Sequence, residues 1–250
     1  FPILDGSAIE YVREIRKAGI LEQDKDKDFY VVRKKIEVFD EKTGSKLTLL
    51  PDEAFCVNSF IEFDSKYIPN QSASMDNVTD YETEIAPSRT FVFVRDIQQL
   101  RSAGLIKGGN LDNAIVIYER KLSQHELDEI ADELRVPHHN ANELGYLNNR
   151  KLMFPNEPAR HKLLDIIGDM ALIGKPIKGR LIATRPGHKI NNQLARVIRK
   201  DIKLNEVQPP IYDMMQEPVM DNNRIRELLP HRYPFLMVDK IIQMTDKFIV

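Results

Sequence analysis

Three short segments hold residue types whose spacing could do chemistry. In Arg160-His161-Lys162-Leu163-Leu164-Asp165-Ile166-Ile167-Gly168-Asp169, a His and two carboxylates recur at every fourth position. Residues so spaced share one face of a helix. A His and a carboxylate one turn apart can both reach a single zinc ion at about 2.0–2.2 Å, and they can equally form a plain ion pair on a helix surface. Leu163, Leu164, Ile166, Ile167 and Met170 cover much of the other side. The helix is therefore expected to pack into a core and to turn its polar stripe toward a cleft or a partner. Gly168 costs about 1 kcal/mol of helix propensity, and a small residue there leaves room for a backbone or a ligand to come close. The second segment is Gly187-His188-Lys189-Ile190-Asn191-Asn192, between an expected strand and an expected helix. A loop His there can act as a general acid near neutral pH, with a carboxylate such as Asp169 holding its tautomer, or it can simply face solvent. The third segment, Ser88-Arg89-Thr90-Phe91-Val92-Phe93, reads as a strand in which Thr90 is on its own a plain β-former.

The other histidines offer less. His138 and His139 sit in an Asn-rich stretch, and adjacent residues of an extended chain point to opposite sides, which argues against a shared ion. His125 falls on the polar face of a charged helix. Cys56, the one cysteine, lies in an apolar run and reads as a small buried side chain that fits a reducing cytoplasm. No Gly-rich phosphate loop, dinucleotide fingerprint, Gly-x-Ser-x-Gly or Cys-x-x-Cys is present, so nucleotide hydrolysis, Rossmann cofactors, serine hydrolysis and cysteine-zinc sites lose support. The formal net charge of −2 over 250 residues argues against a nucleic-acid footprint or a polybasic membrane patch. No apolar run approaches the roughly 20 residues of a membrane span, and no signal peptide is visible. Both ends read as internal: the chain opens on Phe1-Pro2 without an initiator Met and closes on Phe248-Ile249-Val250, as if within a strand. The sequence is therefore expected to be a fragment.

Mixed elements must position these residues. Asp5-Gly6-Ser7 precedes a helix expected over Ala8–Ala18, with Ile9, Val12 and Ile15 on its apolar face and Gly19 at its end. Strands are expected over Tyr30–Phe39, Lys46–Leu50, Ala54–Phe63, Arg89–Val94, Asn113–Tyr118 and Gly179–Thr184. Ser72–Asn77 reads as a polar loop. Helices are expected over Asp96–Ala103, Ala159–Ile173 and Asn191–Lys200, with a turn at Gly108-Gly109-Asn110. Glu119–Glu157 reads as a long polar insertion with one amphipathic helix, its apolar face made by Leu127, Ile130, Ala131 and Leu134. Pro51-Asp52 reads as a domain boundary, and Glu206–Asp221, with Pro209-Pro210 and Pro218, as an interdomain linker. Arg224–Leu229 begins a further element, and Phe235–Met244 reads as a strand. The order of elements gives an α+β class rather than a doubly wound parallel sheet.

In combination, the blocks Pro2-Ile3-Leu4-Asp5-Gly6-Ser7-Ala8, Arg89-Thr90-Phe91, Gly108-Gly109 with Asn113-Ala114-Ile115-Val116, His161-Lys162 with Asp165 and Ile167-Gly168-Asp169, and Gly187-His188 with Asn191-Asn192 closely resemble the UDP-3-O-acyl-N-acetylglucosamine deacetylases of lipid A synthesis. The resemblance spans residues 1 to 205. A second one follows: Leu228-Leu229-Pro230-His231-Arg232-Tyr233-Pro234-Phe235-Leu236-Met237-Val238-Asp239 is similar to the opening of the 3-hydroxyacyl-[acyl-carrier-protein] dehydratases. Together they resemble the bifunctional fusions of these two enzymes.

The resemblance implies two sheet-and-helix sandwich domains followed by a hot-dog domain. Residues 1–51 would be the tail of the first sandwich, 54–205 most of the second with its insertion at 119–157, 206–221 the linker and 222–250 the start of the hot-dog fold. It implies a catalytic Zn2+ held by His161 and Asp165, with a third ligand, a His, and a general-base Glu both upstream of Phe1. Without those two groups, residues 1–250 alone are expected to hold zinc weakly. It implies Thr90 as an oxyanion donor, His188 as the acid that protonates the leaving amine, Asp169 as its orienting partner, Lys162 facing the nucleotide diphosphate and Phe91 near the substrate. His231 would belong to a structural motif. The implied partners are the UDP-3-O-acyl-N-acetylglucosamine substrate and, for the fused half, acyl-carrier-protein substrates, in the cytoplasm, with the lipid-like substrate met as a soluble or peripheral enzyme. Two rivals stand beside this: a sugar-nucleotide or acyl-binding module without catalysis, and a protein in which the dehydratase supplies the main activity. The intact set of His161, Asp165, Asp169 and His188 argues against the first.

Overall fold

The computed structural model describes residues 2–97, 113–134, 137–147, 151–207, 217–244 and 249–250. They form two compact units, Phe1–Arg199 and Lys200–Val250.

The first unit is mixed α+β, built on two sheets. The larger sheet holds β1 (Tyr30–Val31), β2 (Ile36–Asp40), β3 (Ser45–Leu50), β4 (Phe55–Ile61), β5 (Gln71–Met75) and β9 (Ile177–Thr184). Its order is β2-β3-β9-β4-β5, with β1 pairing parallel to the first residues of β9. β9 runs antiparallel to β3 and parallel to β4. A strand fed from both sides by backbone partners is central, and β9 accordingly buries Leu181 and Ala183 on one face. Leu47, Leu49, Val57 and Ile61 complete that buried face, and the helix α3 (Glu157–Ala171) packs against β4 and β5. The smaller sheet is β6 (Phe91–Phe93), β7 (Ile115–Tyr118) and β8 (Gly145–Tyr146), in the order β6-β7-β8. The helix α2 (Gln124–Leu134) lays Leu127 and Ile130 into a core shared with Val94, Ile97, Val116, Tyr118 and Ala141.

Several expected elements take a different form. The run expected as one strand over Tyr30–Phe39 is two, because Arg33-Lys34-Lys35 interrupts it and β1 leaves the hairpin to pair with β9. Ser72–Asn77, expected as a loop, begins within β5. The strand is polar to the eye because its serines face outward while Ala73 and Met75 face in. Pro51-Asp52 is no boundary between sheets: it joins β3 and β4, which flank β9 in a single sheet. The stretch expected as a polar insertion supplies β8 and much of the smaller core, with the Tyr118 hydroxyl donating to the Ala141 carbonyl at 3.0 Å and accepting from the Leu122 N–H at 2.9 Å. The helix α1 (Ile9–Ala18) has the expected apolar side, yet none of its residues is buried and Ile15 is 61% exposed. Of the helix expected over Asp96–Ala103, only 96–97 are described. The Gly108–Asn110 turn and most of the 206–221 linker lie outside the described residues, as does the side chain of Leu134.

The second unit includes the end of α4 (His188–Val207) and the short helix α5 (Asn222–Leu228), whose N-cap Asp221 accepts from the Arg224 N–H at 2.9 Å. Where Phe235–Met244 was expected as a strand, the described residues make only isolated bridges, Met220 to Ile241 and Met244 to Ile249. Among the described residues no helix is long and apolar enough to cross a membrane.

Candidate functional site

The stripe on α3 forms as its spacing dictates. Leu163, Ile166 and Met170 are buried, and His161, Asp165 and Asp169 follow one another along a single side. His161 is 7% exposed. Its Nδ1 donates to the backbone carbonyl of Ser88 at 3.0 Å, since a carbonyl can only accept. That leaves Nε2 with its lone pair, 3.4 Å from Oδ1 of Asp165. Burial pushes the imidazole below its usual range, against the opposing pull of the Asp165 charge and the Ser88 carbonyl. The ring is thus kept neutral, the form in which it can give a lone pair to a metal.

His188 arrives from another element. It is the first residue of α4, where the sequence suggested a loop. Its Nδ1 donates to Oδ2 of Asp169 at 2.9 Å, and the Asn191 side-chain amide donates to that same oxygen at 2.8 Å. Nε2 of His188 then faces Asp165, with Oδ1 at 4.0 Å. Two imidazoles, each fixed through Nδ1 by an acceptor, therefore direct Nε2 at one carboxylate oxygen. His188 remains 66% exposed at its side chain while Asp165 is 11% exposed, so one member of the cluster meets incoming molecules and the rest stand behind it.

The turn leading to His188 is held under strain. Arg185 has φ of 50°, a left-handed conformation that costs a non-glycine residue about 1–2 kcal/mol. Its N–H donates to Phe60 at 2.8 Å, and its guanidinium reaches Glu62 and the Thr43 carbonyl, contacts that offset the cost. Nothing in the local sequence marks this role, because all three partners are distant in the chain.

Lys162 and Phe91 border the cluster. The Lys162 ammonium donates to Oδ2 of Asp165 at 2.9 Å and lies 5.5 Å from the centre of the Phe91 ring. Phe91 meets His161 edge-on, with ring centres 6.5 Å apart. Thr90 joins through its backbone: its N–H donates to Gly6 at 2.9 Å and its carbonyl accepts from Ile115 at 2.7 Å. Gly6, at φ of 79°, could not be another residue, since a Cβ there would lie 1.9 Å from the Asn113 carbonyl oxygen. The Pro2–Ala8 block is thus laid against the strand that carries Thr90 and Phe91.

A buried pair escaped the sequence reading. Glu157, in the first turn of α3, is 0% exposed and accepts from the backbone N–H and guanidinium of Arg89 and from the Met153 N–H. The other histidines stay apart from the site. His138 contacts Asp132 at 2.7 Å and Asp128 at 3.5 Å, and the hydrogen bond to Asp132 lifts it above its usual range. His139 bonds the Glu143 carbonyl at 2.8 Å, so the two adjacent rings do take separate partners. His125 is exposed beside Glu129. Cys56 is buried. Beyond its chain neighbours and the backbone of its own helix turns, no described atom lies within 4 Å of the Cβ that Gly168 lacks, so no other described element makes the close approach it would permit. A cleft of about 470 Å³ beside β4, β5 and the start of α3, lined by Asn58, Ser72, Ser74, Asn156 and Arg160 among others, contains none of these site residues.

Among the described residues no three His, Cys, Asp or Glu side chains are grouped as a complete metal site. The donor set nonetheless fits half of one. His161 and Asp165 offer a neutral imidazole nitrogen and a carboxylate oxygen on one side of a helix, and a backbone carbonyl orients the imidazole as ligating histidines require.

A family model described as LpxC, UDP-3-O-acyl N-acetylglycosamine deacetylase, matches residues 1–140 and 139–200. A bifunctional enzyme LpxC/FabZ of Bacteroides thetaiotaomicron is 62% identical over 250 residues, which is all of this chain and 54% of the relative. A protein of the same name from Porphyromonas gingivalis is 57% identical over the same length and the same shares. A UDP-3-O-acyl-N-acetylglucosamine deacetylase of Myxococcus xanthus is 35% identical over 209 residues, 83% of this chain and 58% of the relative. The chain spans about half the length of these curated relatives.

Proposed function

Because the chain belongs to the UDP-3-O-acyl N-acetylglycosamine deacetylase family, we propose that the complete protein hydrolyses the N-acetyl group of UDP-3-O-(3-hydroxyacyl)-N-acetylglucosamine, the committed step of lipid A synthesis, and that it uses zinc. The observation that carries this reading is the aim of His161 Nε2 and His188 Nε2 at one Asp165 oxygen.

His161 and Asp165 would hold the ion, with a further protein ligand from outside residues 1–250. When bound, zinc supplies Lewis-acid polarisation of the acetamide carbonyl and acidifies water. The chain's own residues do the rest. His188, protonated, keeps its Nδ1–H on Asp169 and gives its Nε2 proton to the leaving nitrogen as the amide C–N bond breaks. Water adds to the acetyl carbon as that bond breaks; one of its protons replaces the one His188 gave up and the other ends on the released amine, so the products are acetate and the protonated amino-sugar nucleotide. Asp169 and Asn191 fix the ring that makes this transfer. The Thr90 hydroxyl donates to the oxygen on which charge develops, and it does so from a backbone already locked to Gly6 and Ile115. Phe91 covers His161 and faces the substrate. Lys162, which rests on Asp165 here, turns its compact charge to the nucleotide diphosphate.

Residues 222–250 open a hot-dog dehydratase acting on acyl-carrier-protein substrates. This half of the reading is supported by the Leu228–Asp239 block and by the names of the bifunctional relatives. The protein would work in the cytoplasm and meet its acylated substrate as a soluble or peripheral enzyme, a reading consistent with the lack of a membrane-crossing helix among the described residues.

The test of the ligand assignment is zinc stoichiometry in the complete protein. His161→Ala is expected to lose the ion, and full retention would overturn the assignment.

A further inference from the structure

We propose that Arg89 and Glu157 are a positioning pair for this site, locking the tautomer of His161 and the placement of Thr90. The inference rests on the deacetylase reading for what is positioned, but not for whether it is positioned.

Both side chains are withdrawn from water, Arg89 at 7% and Glu157 at 0% exposure. Oε1 of Glu157 accepts from the Arg89 backbone N–H at 3.0 Å and from its Nε at 2.8 Å. Oε2 accepts from the guanidinium NH2 group at 3.1 Å and from the Met153 N–H at 2.6 Å. The same guanidinium nitrogen donates to the Lys151 carbonyl at 3.1 Å. The carboxylate therefore grips the 88–90 segment through both backbone and side chain, and also ties down Met153 in the segment that leads into its own helix.

The position of that grip gives it a role beyond packing. Glu157 stands one helical turn before His161, on the same side of α3. Ser88 and Thr90 are the two neighbours of Arg89. The Ser88 carbonyl decides which nitrogen of His161 carries the proton. The Ser88 hydroxyl is buried with no hydrogen-bond partner, so that side chain contributes nothing to the hold. A slip of α3 along the 88–90 segment would move Ser88 off Nδ1, and Nε2 would no longer be the free lone pair. A buried ion pair is weak evidence for stability, because desolvating both charges offsets most of their attraction. Such pairs can instead be kept for the unique geometry they impose. Arg89 and Glu157 are buried charged residues that the proposed chemistry leaves without a task.

Removing one partner alone would strand a buried charge and could unfold the chain. The informative variant is the double change Arg89→Met with Glu157→Gln, made in the complete protein. It removes both charges and keeps a side-chain oxygen for one of the two backbone N–H groups that Glu157 receives on separate oxygens. Urea unfolding first establishes that the variant is folded. Three readouts follow: zinc affinity by chelator competition, kcat and KM for deacetylation, and the imidazole nitrogen shifts of His161 in the zinc-free protein. Positioning predicts zinc affinity weaker by about tenfold or more, as for other groups that orient a metal ligand. It predicts kcat lowered with KM within about twofold, and a mixed tautomer at His161 in place of a single Nδ1–H form. A folded double variant with unchanged zinc affinity, kcat and nitrogen shifts would overturn the proposal and leave the pair a structural contact. Absence of zinc-dependent deacetylation in the wild type would overturn the proposed function instead, and the zinc-free nitrogen shifts would still decide the positioning claim.

Discussion

His161 and His188 are anchored alike but stand in different surroundings. Each gives its Nδ1 proton to an acceptor and turns Nε2 toward Asp165, but the acceptor is a neutral carbonyl for His161 and a carboxylate for His188. Burial separates them further, for His161 is enclosed and His188 is open. A neutral enclosed ring suits a ligand, and an open ring backed by a carboxylate suits a proton donor. On this account His188→Ala leaves zinc content intact while deacetylation falls by about 10² or more. Metal analysis beside turnover checks the split, and normal turnover would remove His188 from the mechanism. The buried His161 also couples stability to pH. Its folded-state pKa lies below the ordinary value of about 6.5, so the unfolded chain binds more protons in the interval between the two. Its contribution is complete above about pH 6.5 and is lost as pH falls toward the depressed value. In the zinc-free protein, the urea midpoint is expected to drop from pH 7.5 to pH 5.5 by more in the wild type than in His161→Gln. Equal drops would show that the ring carries no such linkage. His161, Asp165 and Asp169 were legible in the sequence because a period of four needs only a helix to become a face, whereas His188 was legible only by its position between a strand and a helix. Arg89, Glu157 and Arg185 were not, since their partners lie far along the chain and their types are common on surfaces.

At the scale of elements, the site is a meeting of the α3 side, the first turn of α4 and the 88–91 segment. Gly6 is where the Pro2–Ala8 block is allowed to touch that segment. The substitution Gly6→Ala brings a Cβ against the Asn113 carbonyl in a left-handed conformation, and it disturbs the carbonyl that receives the Thr90 N–H. We expect a loss of about 2 kcal/mol or more in stability, with deacetylation reduced alongside. Urea unfolding and acetate release measure the two, and a variant as stable as the wild type would show that the block yields there. Elements with a strong period were readable: α3 and β9 fall close to their expected spans because Leu, Ile and Ala recur as a helix or a strand requires. β5 was not, because alternation between Ser and small apolar residues gives little hydrophobic contrast. The run expected as one strand over Tyr30–Phe39 is broken at Arg33-Lys34-Lys35, where three consecutive basic residues end the apolar alternation.

At the scale of the whole molecule, two sheets divide the labour. The larger supports α3 from behind through β4 and β5, and the smaller delivers Thr90 and Phe91 from the edge of β6. The boundary read at Pro51-Asp52 followed a local breaker, whereas strand order is set by β9, more than 100 residues later, inserting between β3 and β4. No local signal announces an insertion of that kind.

The most direct measurement is acetate release from UDP-3-O-acyl-N-acetylglucosamine by the complete protein, followed with and without a zinc chelator. Release that the chelator abolishes and added zinc restores is expected. Release that survives complete removal of the metal, or no release from a folded, zinc-loaded protein, would contradict it.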